Sequence, residues 1–148
     1  MTLLRSDPGV TRSVELEAAP AEVWDALTEE TLLREWLADE VELEAEPGGE
    51  IVCRYADGEE RRGEVELVEE AERLAWSWWR GDGEGPSRVE LVLDAVADGT
   101  RLTVIETAPF EAAGPLLIAS GSAPARLTAD VWAVPLARLR AAVRLVLA

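Results

Sequence analysis

From residue 11 to residue 107 the chain keeps placing apolar side chains at alternate positions, and near its C-terminus it changes to a helical spacing. Alternation marks strands with one dry face. It is found at 11–17, 41–45, 51–55, 63–68, 74–79, 88–96 and 101–107. Most joins are short and carry turn chemistry: Pro47, Gly48 and Gly49, then Asp57 and Gly58, an acidic bend at 69–72, and Asp98 and Gly99. Short turns of this kind make antiparallel neighbours, so an antiparallel meander is expected. The dry face gathers Ile51, Cys53 and Tyr55, then Leu74, Trp76 and Trp78, then Val89, Leu91 and Leu93, and finally Leu102 and Val104. The opposite face is acidic, with Glu15, Glu17, Glu42, Glu44, Glu64, Glu66, Glu90 and Asp94.

Helices interrupt this run only once. Pro20 suits the first position of a helix over 21–28, which carries Val23, Trp24 and Leu27. A second short helix over 30–36 has Leu32, Leu33 and Trp36 on its apolar side. The last element spans 128–147. There Trp132, Leu136, Leu139, Val143 and Val146 form one stripe, with Arg138, Arg140 and Arg144 on the remaining surface. Pro135 predicts either a kink or a helix that becomes regular only at that point. The stripe needs an apolar surface to cover, and the dry face of the sheet is the candidate. The expected fold is therefore α+β: a curved antiparallel sheet of six or seven strands around a long C-terminal helix, as one domain over 1–148 with a loose lead-in at 1–10. The stretch 108–126 is almost uncharged and long for a connection. It reads as a packed crossover, or as a lid over a ligand.

Composition excludes much chemistry. The chain has no histidine and one cysteine, Cys53. That removes His-based triads and zinc, iron–sulfur or His-ligated metal sites, and no metal or cofactor is expected. The net charge of −16 disfavours binding to nucleic acid and to anionic membranes. A single cysteine suits a reducing compartment. No apolar run spans a bilayer and the first residues lack the apolar core of a signal peptide, so a cytoplasmic protein is expected.

The order of elements carries a resemblance. Ala19-Pro-Ala-Glu-Val-Trp-Asp-Ala-Leu27, Leu33-Arg-Glu-Trp-Leu37, Pro47-Gly-Gly-Glu50, Leu74-Ala-Trp-Ser-Trp78, Gly99-Thr-Arg-Leu-Thr-Val104 and Asp130-Val-Trp-Ala-Val-Pro-Leu-Ala-Arg-Leu139 together resemble the SRPBCC superfamily, whose fold is the START-like or Bet v 1-like helix grip. Within it the chain looks like the branch named after the activator of Hsp90 ATPase homologue 1. Val131 stands where that branch usually has glycine. The resemblance implies a cavity between sheet and helix, where relatives hold apolar molecules and some are cyclases or aromatases. Chaperone stimulation by eukaryotic namesakes goes with a further N-terminal domain that these 148 residues do not contain, so it is not carried over.

The expected ligand-binding residues are Trp76, Trp78, Leu91, Leu93, Tyr55, Trp132 and Leu136, lining a pocket for a small apolar molecule. A filled core is the alternative, since indoles also fill space. An enzyme of the polyketide cyclase or aromatase type would need inward polar groups such as Arg54, Tyr55 or Glu106. A protein-interaction module, with a possible homodimer, would use the apolar 108–126 segment. Cys53 is expected to be a buried, inert thiol.

Overall fold

The fold is that of a computed structural model, which describes residues 9–80, 86–107 and 132–147. The chain runs β1 (Gly9–Leu16), α1 (Pro20–Thr28), α2 (Glu30–Trp36), β2 (Glu40–Leu43), β3 (Glu50–Arg54), β4 (Glu60–Glu69), β5 (Arg73–Arg80), β6 (Ser87–Val96), β7 (Gly99–Thr107) and α3 (Ala133–Leu147). The strands form one antiparallel sheet in the order β1-β7-β6-β5-β4-β3-β2. Six of them follow chain order. β1 crosses to the far edge and pairs along its whole length with β7. This is the expected helix grip.

Local chemistry explains the elements. Pro20 opens α1 and the Glu22 side chain reaches back to the Ala19 N–H at 2.9 Å, which satisfies a donor the helix cannot. Trp36 of α2 donates its indole N–H to the Ala26 carbonyl, so the two short helices hold each other. The Asp57–Gly58 turn has Gly58 at φ 92°, a left-handed conformation that glycine adopts without strain.

β4 extends further than expected, starting at Glu60 rather than at residue 63. It also carries a bulge between Val65 and Leu67, and such an extra residue sharpens the local twist. The outer face is a lattice of ion pairs within and across strands. Arg88 joins Glu66 and Glu90, Arg73 joins Glu69 and Glu90, and Arg62 joins Glu50 and Glu60.

The inner face holds the core. Leu16, Leu74, Trp76, Leu91, Leu102 and Leu139 are all essentially sealed from solvent. α3 packs against α2, α1 and β1, and Trp132, Leu136, Leu139 and Val143 of its stripe are buried. Pro135 resolves into the second of its two expected outcomes. It is the third residue of α3, inside the first turn, where a missing N–H costs nothing. Residues 108–126, and the expected helical residues 128–131, lie outside the described residues.

Candidate functional site

Strand parity brings the expected wall together. Trp76 and Trp78 of β5 project inward beside Leu91 of β6, and all three are buried in one cluster with Leu93, Trp132 and Leu136. Trp78 stacks on Trp132 with ring centroids 6.4 Å apart and 16° between planes. Trp76 meets Trp78 edge-on at 5.5 Å. Tyr55 packs against the edge of this cluster.

At the centre of the aromatic block is a carboxylate. Glu106 of β7 is fully buried. Its Oε2 accepts from Trp78 Nε1 at 3.1 Å and from Ser87 Oγ at 2.6 Å, and its Oε1 accepts from Trp132 Nε1 at 2.9 Å. Three strands and the entry to α3 are thus tied through one side chain. Sequence parity with Leu102 and Val104 marks Glu106 as inward. Ser87 was not singled out, because it follows a glycine-rich loop.

A second polar group was missed altogether. Arg61 of β4 pairs with Cys53 across the ladder and faces inward. Its guanidinium lies 4.8 Å from the Trp78 ring centroid and 5.9 Å from that of Tyr55, within cation–π range. Its Nε is 3.5 Å from Glu59, which also pairs with Arg80 at 2.9 Å. The inner face is therefore polar at the Tyr55–Arg61–Ser87 end and apolar towards Leu91 and Leu93. Arg54, expected as a possible inward group, faces outward instead. It alternates with Cys53, which is buried, and bonds Glu42 at 3.0 Å on the outer surface. Trp76 Nε1 is buried and has no hydrogen-bond partner among the described residues.

Two groups here ionise with difficulty. Burial pushes the Cys53 thiol from an ordinary 9.0 up to about 12, against an opposing pull from Arg61, so the thiol is the inert one expected. Burial also raises the Tyr55 hydroxyl, reinforced by Cys53. Both groups stay protonated longer in the folded chain than in the unfolded one. Stability from them is whole below pH 9 and is lost as pH rises towards 12. The slope for one group is about 1.4 kcal/mol per pH unit. Urea midpoints should hold from pH 8 to about pH 9 and then fall up to pH 11, and Cys53→Ala should flatten part of the fall. An unchanged slope in that variant would contradict the assignment.

Space is found beside the block. A groove of about 720 Å³ runs between β1 and α3, lined by Arg12 and Val14 on one side and by Ala133, Leu136, Ala137 and Arg140 on the other. Leu136 belongs both to this groove and to the core cluster, one helical turn from Trp132. A smaller pocket of about 280 Å³ lies at the β3–β4 hairpin and includes Tyr55. Among the described residues no helix is long and apolar enough to cross a membrane.

Comparison with known proteins gives a consistent picture. The family model described as activator of Hsp90 ATPase homolog 1-like protein matches residues 17–144. A protein from Mesorhizobium loti superposes with a TM-score of 0.74 at 22% identity, over 92% of this chain and 96% of that one. One from Rhodobacter sphaeroides gives 0.70 at 26%, over 93% of each chain. The solution structure of the Aha1 dimer from Colwellia psychrerythraea gives 0.68 at 18%, over 91% of this chain and 95% of that one. No curated protein sequence matches the chain.

Proposed function

The chain belongs to the family of activator of Hsp90 ATPase homolog 1-like proteins, and on that premise we propose that it binds a small apolar molecule between its sheet and its C-terminal helix, entering by the groove beside β1. The observation that carries this reading is the groove itself. Its volume of about 720 Å³ is that of a small-molecule site. Its floor is Val14, Ala133, Leu136 and Ala137, and Leu136 makes it continuous with the aromatic core.

An enzymatic role finds less support. Glu106 does point inward, but both of its oxygens are engaged by Trp78, Ser87 and Trp132. It holds the scaffold rather than facing open space.

The test uses an uncharged probe. Nile red should brighten and shift to the blue on mixing with the protein, and dodecanol should displace it. Ala137 is exposed and lines the groove, so Ala137→Trp should fill the site without touching the core and abolish the signal. Absence of probe binding, or full binding by that variant, would sink the reading. Size-exclusion of the same sample reports whether the chain is a homodimer, the state of the Colwellia protein.

A further inference from the structure

We infer that the groove beside β1 takes its ligand as an anion: a carboxylate on an apolar body, with the head group held between Arg12 and Arg140. This rests on the apolar-ligand reading above and names the chemical class of the ligand.

The argument begins with ion pairing. The sheet carries eight arginines, and seven of them have a glutamate partner: Arg54, Arg61, Arg62, Arg73, Arg80, Arg88 and Arg101. Arg12 is the eighth, and among the described residues it forms no ion pair. Its position explains why. It faces Val104 across the ladder, in the same inward row as Val14, which faces Leu102, whereas the glutamates of the sheet lie mostly on the outer surface. The same holds for Arg140. α3 contains no acidic residue, and among the described residues Arg140 also forms no ion pair. Both arginines line the one groove.

A chain with 30 acidic residues and 14 basic ones has carboxylates to spare. Among the described residues it nevertheless leaves two guanidinium groups without an ion-pair partner where they flank an apolar floor. Guanidinium forks match a carboxylate in shape and charge, and such bonds are stronger than neutral ones. The net charge of −16 does not cancel this. Screening limits an exposed charge to roughly 8 Å at physiological salt, so a head group in the groove feels the two arginines more than the acidic outer face. That same outer face disfavours an anionic bilayer, which must approach over a broad area. The ligand is therefore a dispersed molecule. The apolar length of the groove, Val14, Ala133, Leu136 and Ala137, takes the chain or ring that follows the carboxylate.

The experiment is a titration calorimetry comparison of dodecanoate and dodecanol, both below their aggregation limits, with circular dichroism confirming each variant's fold. Wild-type protein should bind dodecanoate at least about tenfold more tightly, a preference of roughly 1.4 kcal/mol. In the double variant Arg12→Gln, Arg140→Gln that preference should collapse towards unity. Arg138→Gln changes an exposed arginine of the same helix outside the groove, and the preference should survive it. Equal binding of the two molecules by the wild type overturns the anion assignment and leaves the apolar-ligand reading standing. A preference that survives the double variant, or that falls equally in Arg138→Gln, overturns the roles of Arg12 and Arg140. Failure of both molecules to bind removes the apolar-ligand reading and this inference with it. Co-sedimentation with anionic phospholipid vesicles, without uptake of free dodecanoate, would overturn the dispersed-ligand assignment.

Discussion

Replacing Glu106 with leucine should lower the free energy of unfolding by about 3–5 kcal/mol, although leucine is apolar and of similar size. The loss comes from the donors left behind. Trp78, Ser87 and Trp132 all direct a hydrogen at this one carboxylate, and among the described residues none has another acceptor. Glutamine is the more discriminating substitution. Its amide has one accepting oxygen and one donating nitrogen. Keeping the oxygen at the Oε2 position preserves the bonds from Trp78 and Ser87, but sets an NH₂ group against the Trp132 N–H. Glu106→Gln should therefore cost about 2 kcal/mol and loosen the start of α3 selectively. Tryptophan emission should shift to the red before the main urea transition. A Glu106→Leu variant within 1 kcal/mol of wild type in urea denaturation would mean that the three donors are not held as described.

The second large effect is expected at Gly63. This residue faces Trp78 across the β4–β5 ladder. A Cβ there would run into the Ser77 carbonyl oxygen and lie 2.8 Å from the Trp78 Cβ. The obstacle is backbone as well as side chain, so it cannot swing away. Gly63→Ala should destabilise by about 3 kcal/mol, at the upper end of overpacking effects. It should also disturb the stacking of Trp78 on Trp132, visible as a change in near-ultraviolet circular dichroism. Gly58 provides the contrast. An added Cβ there meets nothing within 4 Å, and only its φ of 92° opposes a side chain, so Gly58→Ala should cost about 1 kcal/mol. Equal losses at the two positions would refute the close-approach account of Gly63.

These two sites show what the sequence could and could not reveal. The order of elements was readable because alternation and turn residues are local signals, and they agreed along the whole sheet. The inward position of Glu106 was readable too, from its parity with Leu102 and Val104. Its partners were not. Trp78, Ser87 and Trp132 lie 28, 19 and 26 residues away in the chain, and no spacing rule joins them. Arg61 was hidden for a different reason. The run Glu59, Glu60, Arg61, Arg62 has the composition of a solvated turn, yet β4 begins inside it. One strand position of difference decides whether a charged residue stands in water or under an indole. Arg12 shares its parity with Val14 and Leu16, a signal that was present, but a charge at the start of an edge strand ordinarily reads as exposed. Arg54 was misplaced against the alternation itself, since Cys53 and Tyr55 on the dry face already turn it outward.

The pairing of β1 with β7 also has a consequence for the order in which the protein is made. Gly9 ends up opposite Thr107 and Leu16 opposite Thr100, while β2 to β7 each pair with a neighbour in the chain. At a synthesis rate of 5–20 residues per second, β1 waits roughly 5–20 s for its partner. During that interval the nascent chain can build hairpin after hairpin from β2 onwards, with its first strand still unclaimed. The wall of the groove that carries Arg12 and Val14 is then translated before the other strands of the sheet and is among the last to be seated. A ligand held there would act on the final step of maturation, by retaining β1 and α3 once both have arrived.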